Sequence, residues 1–141
     1  MECEFPTINS NNEEILEILD SVKTIAILGL SPDESKPSNK VAKFLKEHGY
    51  KIVPVYPKED IILGEKVYRS LAEIPFEIDM VDIFRKPNVF DAVVDVCIER
   101  GDVKVFWGQL GLVNNEAAAR AEKAGMKVVQ NHCPKIELEN R

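Results

Sequence analysis

Five short apolar runs, at residues 25–28, 52–56, 80–84, 103–107 and 127–130, are built mainly from Ile, Val and aromatic side chains. A nearly continuous run such as IAIL, without polar alternation, suits a strand covered on both faces, and so a parallel sheet between two layers. Between the runs the spacing becomes helical. Val41, Phe44, Leu45 and His48 recur at i, i+3, i+4 and i+7, and Gly49 supplies a left-handed stop. Pro87 opens a helix carrying Phe90, Val93, Val94, Cys97 and Ile98, which Gly101 ends; residues 114–124 form an alanine-rich helix capped by Asn114. Ahead of the first run, Ile15, Ile18, Leu19 and Val22 mark a short amphipathic helix with a capping box in SNNE at 10–13. Residues 57–75 lose periodicity and read as a loop with one helical turn near Leu71.

Strands alternating with helices through right-handed crossovers predict an α/β fold: a Rossmann-like, doubly wound, five-stranded parallel sheet of order 3-2-1-4-5, with helices on both faces. At 141 residues and 45% hydrophobic, the chain suits a single domain over residues 1–141, with the helix in 1–23 packed on it. In this topology ligands bind beyond the strand C-termini. Residues 29–38, 56–58, 85–87, 107–114 and 131–135 are therefore expected to meet on one rim.

A formal charge of −6 argues against a broad nucleic-acid or anionic-membrane surface. No apolar run reaches a membrane span, and the acidic start MECEFPTINSNNEE lacks a signal-peptide pattern, so a cytoplasmic protein is expected. Three cysteines without CxxC spacing suggest free thiols, Cys97 in the core and Cys3 exposed near the terminus, and no metal site.

The first rim segment, GLSPDESKPSN, follows a strand but lacks the further glycines of a dinucleotide turn. Gly29 lets backbone approach a ligand, Leu30 and Pro32 shape the loop, and Ser31, Ser35, Ser38 and Asn39 offer donors near a helix start, which suits a diphosphate. A tight turn alone would also want this glycine. After the second strand, where an NAD site carries an acidic residue, the chain reads Tyr56, Pro57, Lys58. Lys58 tilts the choice toward a phosphorylated ribose, as in coenzyme A or NADP; otherwise it is a solvated lysine. Arg85, with Lys86 beside it, is placed to hold phosphate or stack on a base, the alternative being an ion pair with Asp82 or Asp91. Gly108 and Gly111 bracket Gln109 and Leu110 as a low wall along a narrow chain, and Asn114 closes that segment. His48 reads as a packed or capping residue. His132 and Cys133 share the rim, but neighbours on extended backbone point apart, which counts against a nucleophile–base pair and leaves no catalytic assignment.

The pieces AILGLSP, KPSNKVAKFL, GYKIVPVYPK, LGEKVYRSLAEIP, VDIFRKP, GQLGLVNNEAAARAEKAG and KVVQNHCPKIE, in this order from about Thr24 to Glu137, resemble the small CoA-binding domain proteins. These are single-domain relatives of the CoA-binding domain of succinyl-CoA synthetase α subunits. The resemblance implies a Rossmann-like fold that binds coenzyme A, with the GLS turn and Ser38 at the diphosphate, Pro57 and Lys58 near the adenosine and Arg85 beside the nucleotide. Tyr56 stands where the family often has asparagine, and QNHC replaces a more usual MDRC, which removes a basic residue from the rim. The synthetases phosphorylate a histidine in a second domain that this chain does not contain, so a non-catalytic binding module is expected. Alternatives are an NADP-linked enzyme, an acyl-CoA enzyme needing a partner subunit, or an interaction domain that senses coenzyme A. Ala117, Ala121 and Ala124 offer a small face for a homo-oligomer or for packing on the sheet. The Cys133 thiol is further expected to meet the ligand's thiol under oxidation.

Overall fold

Each apolar run becomes a strand of one parallel sheet in the computed structural model, which describes residues 5–141; Cys3 lies outside them. In chain order the elements are α1 (Asn12–Ser21), β1 (Thr24–Leu28), α2 (Pro37–Glu47), β2 (Lys51–Val55), a small hairpin of β3 (Ile61–Ile62) and β4 (Glu65–Lys66), β5 (Met80–Ile83), α3 (Phe90–Arg100), β6 (Val105–Gly108), α4 (Asn115–Lys123), β7 (Lys127–Val129) and α5 (Pro134–Glu139). Single 3-10 turns at Leu71–Glu73 and Pro87–Val89 complete the chain, the first where a helical turn is expected.

The sheet runs β2-β1-β5-β6-β7. A parallel bridge from Val55 to Tyr68 adds a one-residue rudiment outside β2, and with it the Rossmann-like 3-2-1-4-5 arrangement is present, extended by β7. Tyr68 therefore holds the third position. The run at 80–83 occupies the fourth, against β1, with Ile25 opposite Met80 and Leu28 opposite Ile83. Burial explains the assignment: all four residues of β5 are buried, which demands a central place, whereas residues 57–75 lack a long apolar run and form only the hairpin and the bridge.

Alternate side chains feed two cores. Ala26, Val53, Val81, Phe106 and Val128 face α3 and α4, while Ile25, Ile27, Met80, Val105 and Trp107 face α1, α2 and α5. Ala117 and Ala121 have no exposed surface in the first core, so most of the small face considered for subunit contact is used within the fold; Ala124 is exposed. The capping box of α1 lies one residue later than expected, on Asn11 and Glu14. Ser10 is drawn away because its hydroxyl donates to the Val128 carbonyl at 2.8 Å. His48 has the capping role expected, Nδ1 meeting the Phe44 carbonyl at 2.8 Å. Gln130, fully buried, accepts from the Asn114 amide and donates to the Ile8 carbonyl, tying the N-terminal segment to the start of α4.

Asp82, on central β5, is fully buried with neither carboxyl oxygen hydrogen-bonded. Desolvation holds its pKa well above the ordinary carboxylate value. Above that ordinary value the unfolded chain releases the proton while the folded chain keeps it. Stability then falls as pH rises, by about 1.4 kcal/mol per unit, until the folded group ionises. Asp82→Asn is expected to remove this dependence, so that its melting temperature gains on the wild type between pH 4 and pH 7; a constant difference across that range would contradict it.

Candidate functional site

Because the strands are parallel, their C-terminal ends lie on one edge, where two cavities open on opposite faces of the sheet. The first, about 290 Å³ on the α3 side, is lined by Gly29, Tyr56, Pro57, Arg69, Arg85 and the apolar residues Val89, Val93 and Val96. The second, about 620 Å³ beside α2 and α5, takes in Lys40, Phe84, Arg85, Lys86, Gln109, Leu110 and Cys133. Arg85 lines both, so it stands on the crest between them. The five segments expected on one rim are brought together, counting Pro37 of α2 for the first of them.

Gly29 has φ +84°, and a Cβ there would sit 2.9 Å from the Phe84 carbonyl oxygen and 3.1 Å from Arg85 Nε. Its N–H donates to the Val55 carbonyl at 2.9 Å. The glycine thus lets three strand ends close up and Arg85 lie across the turn. The rest of this loop is largely engaged with itself. The Ser31 amide donates to Ser38 Oγ at 3.0 Å, and Asn39 Nδ2 donates to the Ser31 carbonyl at 2.9 Å, both partners being buried on the first turn of α2. Asp33 accepts from the Ser35 hydroxyl and amide, and these bonds hold its carboxyl below the usual carboxylate range. Leu30 is buried in the core and Pro32 is exposed.

The cations carry the positive character of the site. Arg85 pairs with neither of its two candidate carboxylates: Asp82 is sealed in the sheet, and Asp91 is held by Arg120 at 2.9 Å. Its guanidinium lies 6.0 Å from the Tyr56 ring centroid. Lys40 and Lys86 likewise make no ion pair among the described residues. Lys58 is exposed just past Pro57 and is not among the residues lining either cavity. Beside Arg85, the first cavity is lined by Arg69, which donates to the carbonyls of Tyr56 (3.2 Å), Lys58 (3.1 Å) and Glu59 (2.7 Å), and so fixes the loop after β2. Sequence reasoning missed Arg69 because it comes from the aperiodic segment. The helical spacing names Val93 but neither Val96 nor Val89, which stands just ahead of α3; all three are partly buried against the first core while lining this cavity.

Gln109 is buried, and its Oε1 has no hydrogen-bond partner. Leu110 beside it is half exposed, and the Gly111 amide donates to Asn131 Oδ1 at 2.7 Å. Asn114 is a scaffold residue: it caps α4 by accepting from the Ala117 amide and donates to the Pro87 carbonyl. Cys133, 4% exposed, faces the second cavity, whereas the His132 ring meets Glu137 at 3.6 Å and its carbonyl accepts from Trp107 Nε1. The two are not arranged as a nucleophile and base.

Residues 23–139 match the family model described as a CoA binding domain. The chain belongs to that family. It is 40% identical over 128 residues to the uncharacterized protein YneT of Bacillus subtilis, covering 91% of this chain and 94% of the relative. A solved structure of a hypothetical protein from Pyrococcus horikoshii superposes with a TM-score of 0.89 at 41% identity, covering 99% of this chain and 98% of that one. The α subunit of ADP-forming acetate–CoA ligase II from Pyrococcus furiosus is 30% identical over 129 residues, 84% of this chain but only 28% of that subunit.

Gly29 and Gly111 both have positive φ, but only Gly29 has atoms where a Cβ would go. Gly111→Ala is expected to cost about 1 kcal/mol for backbone strain alone, and Gly29→Ala clearly more. Chemical denaturation of the two variants reads the difference; equal losses would mean that the contact with Phe84 and Arg85 relaxes freely.

Proposed function

We propose that this protein binds coenzyme A across the C-terminal edge of its sheet, as a ligand-binding module without covalent catalysis of its own. The observation that carries this is the presence of Lys40, Arg85 and Lys86, none in an ion pair among the described residues, on the lining of the second cavity, with Arg85 shared with the first, on a chain of net charge −6. Uncompensated cations gathered along one cavity of an acidic protein favour a polyanion there. The adenosine lies in the first cavity against Tyr56, Pro57 and the valine stripe of α3, with Lys58 and Arg69 on the side of the ribose 3′-phosphate. The diphosphate passes over Gly29 at Arg85 and Lys86, and Ser31, Pro32, Ser38 and Asn39 shape the loop around it. The pantetheine arm enters the second cavity along Gln109, Leu110 and Gly111. A buried Gln109 oxygen without a partner suits an arm that brings amide N–H donors. Bound coenzyme A would supply a thiol near Cys133.

Thermal denaturation with coenzyme A, dephospho-coenzyme A, NADP and NAD tests this. Coenzyme A at a hundredfold excess over its Kd is expected to stabilise the native state by about 2.7 kcal/mol, with no comparable shift from NADP or NAD. Replacing Arg85 and Lys86 together by Ala should weaken binding about tenfold or more, since hydrogen bonds to charged groups are lost. A shift with NADP and none with coenzyme A would overturn the reading, and equal shifts from coenzyme A and its dephospho form would remove the role given to Lys58 and Arg69. The likeness to acetate–CoA ligase α subunits favours a second reading, in which this chain presents an acyl-CoA to a partner subunit; acetyl-CoA outperforming coenzyme A in the same assay would support it.

A further inference from the structure

We propose that Cys133 is a modification site that forms a reversible mixed disulfide with the pantetheine end of coenzyme A, loaded by exchange with coenzyme A disulfide. The inference rests on the coenzyme A reading of the second cavity. Two independent features of that cavity carry it. Cys133 lines its wall although only 4% of its surface is exposed, so whatever reaches the thiol comes through the cavity. Gln109, 6% exposed on the same lining, holds a buried Oε1 with no hydrogen-bond partner, an acceptor that an N–H donor brought into the cavity would satisfy. A pantetheine arm has a secondary amide N–H for that acceptor and a terminal sulfur beyond it. Exposed Leu110 and Ile136 leave the mouth of the cavity open for a leaving group.

The step balances without a further oxidant. The Cys133 thiolate attacks one sulfur of the coenzyme A disulfide, a new sulfur–sulfur bond forms as the old one breaks, and one coenzyme A leaves as its thiolate and takes up a proton. A cellular thiol reverses it by the same exchange. Cys97 serves as an internal contrast: it sits in the core on the opposite face of the sheet, where burial pushes its thiol up to about 12.

The test incubates the reduced, full-length protein with coenzyme A disulfide or with glutathione disulfide, followed by intact mass and peptide mapping. Expected is one coenzyme A adduct per chain, on the peptide holding Cys133, released by dithiothreitol. It should be absent in Cys133→Ser and form at least about tenfold faster than the glutathione adduct, because a docked reagent reacts as an intramolecular one. Gln109→Leu is expected to slow labelling by coenzyme A disulfide and leave labelling by glutathione disulfide unchanged. Mapping on the wild type locates the adduct even if Cys133→Ser fails to fold. An adduct confined to another cysteine, or equal rates with the two disulfides, overturns the proposal. Melting curves with reduced coenzyme A under reductant separate it from the reading beneath it: stabilisation without an adduct sinks the disulfide alone, and neither stabilisation nor adduct sinks both.

Discussion

Parallel pairing of strands buried on both faces constrains everything else in this molecule. A parallel neighbour can be reached only by a crossover, so each helix must return the chain to the opposite end of the sheet, and each strand ends on the same edge. Five loops that are far apart in sequence therefore share one rim, and the two faces of the sheet give that rim two sides. The cavities on those sides meet at Arg85, which follows central β5, the strand flanked by β1 and β6. The topology alone places a guanidinium where a long ligand would have to cross from one face to the other.

The electrostatics of the rim differ from those of a glycine-rich phosphate loop. In such loops the backbone amides meet the anion, whereas here Ser31, Ser35 and Asn39 are drawn into bonds within the loop, and Asp33 adds a carboxylate. Positive charge comes instead from side chains on three different elements, Lys40 from α2 and Arg85 and Lys86 after β5, with Arg69 on the α3 side. Charge delivered on flexible side chains asks for less backbone geometry than a run of glycines. This fits a first turn in which one glycine, held by the close approach of Phe84 and Arg85, suffices.

Much of this was legible from the chain. Apolar runs long enough to be covered on both faces named the strands, and Asn114, Gly101 and Gly49 marked helix ends through local geometry that needs no distant partner. Arg85, Gln109 and Cys133 were legible as rim residues because position after a strand fixes the edge. What stayed hidden depended on contacts across the fold. The hairpin at 61–66 turns through Leu63 and Gly64, both at positive φ, without the Asn-Gly or Asp-Gly pair that announces such a turn. Arg69 reached the site only through three carbonyls of a loop ten or more residues away.

The sequence by itself determined the fold class and which segments share the C-terminal edge of the sheet, because hydrophobic periodicity and strand-end position are local properties that parallel topology converts into place; its ordered motifs carried the family. Only the tertiary structure decided which polar groups remain for a ligand. It drew Ser38, Asn39 and Asn114 into the scaffold, sealed Asp82 in the sheet, left Arg85 and Lys86 on the cavity lining and left the buried Gln109 oxygen without a partner. A donor or acceptor can be listed from a sequence, but whether it is already satisfied depends on neighbours that only folding supplies.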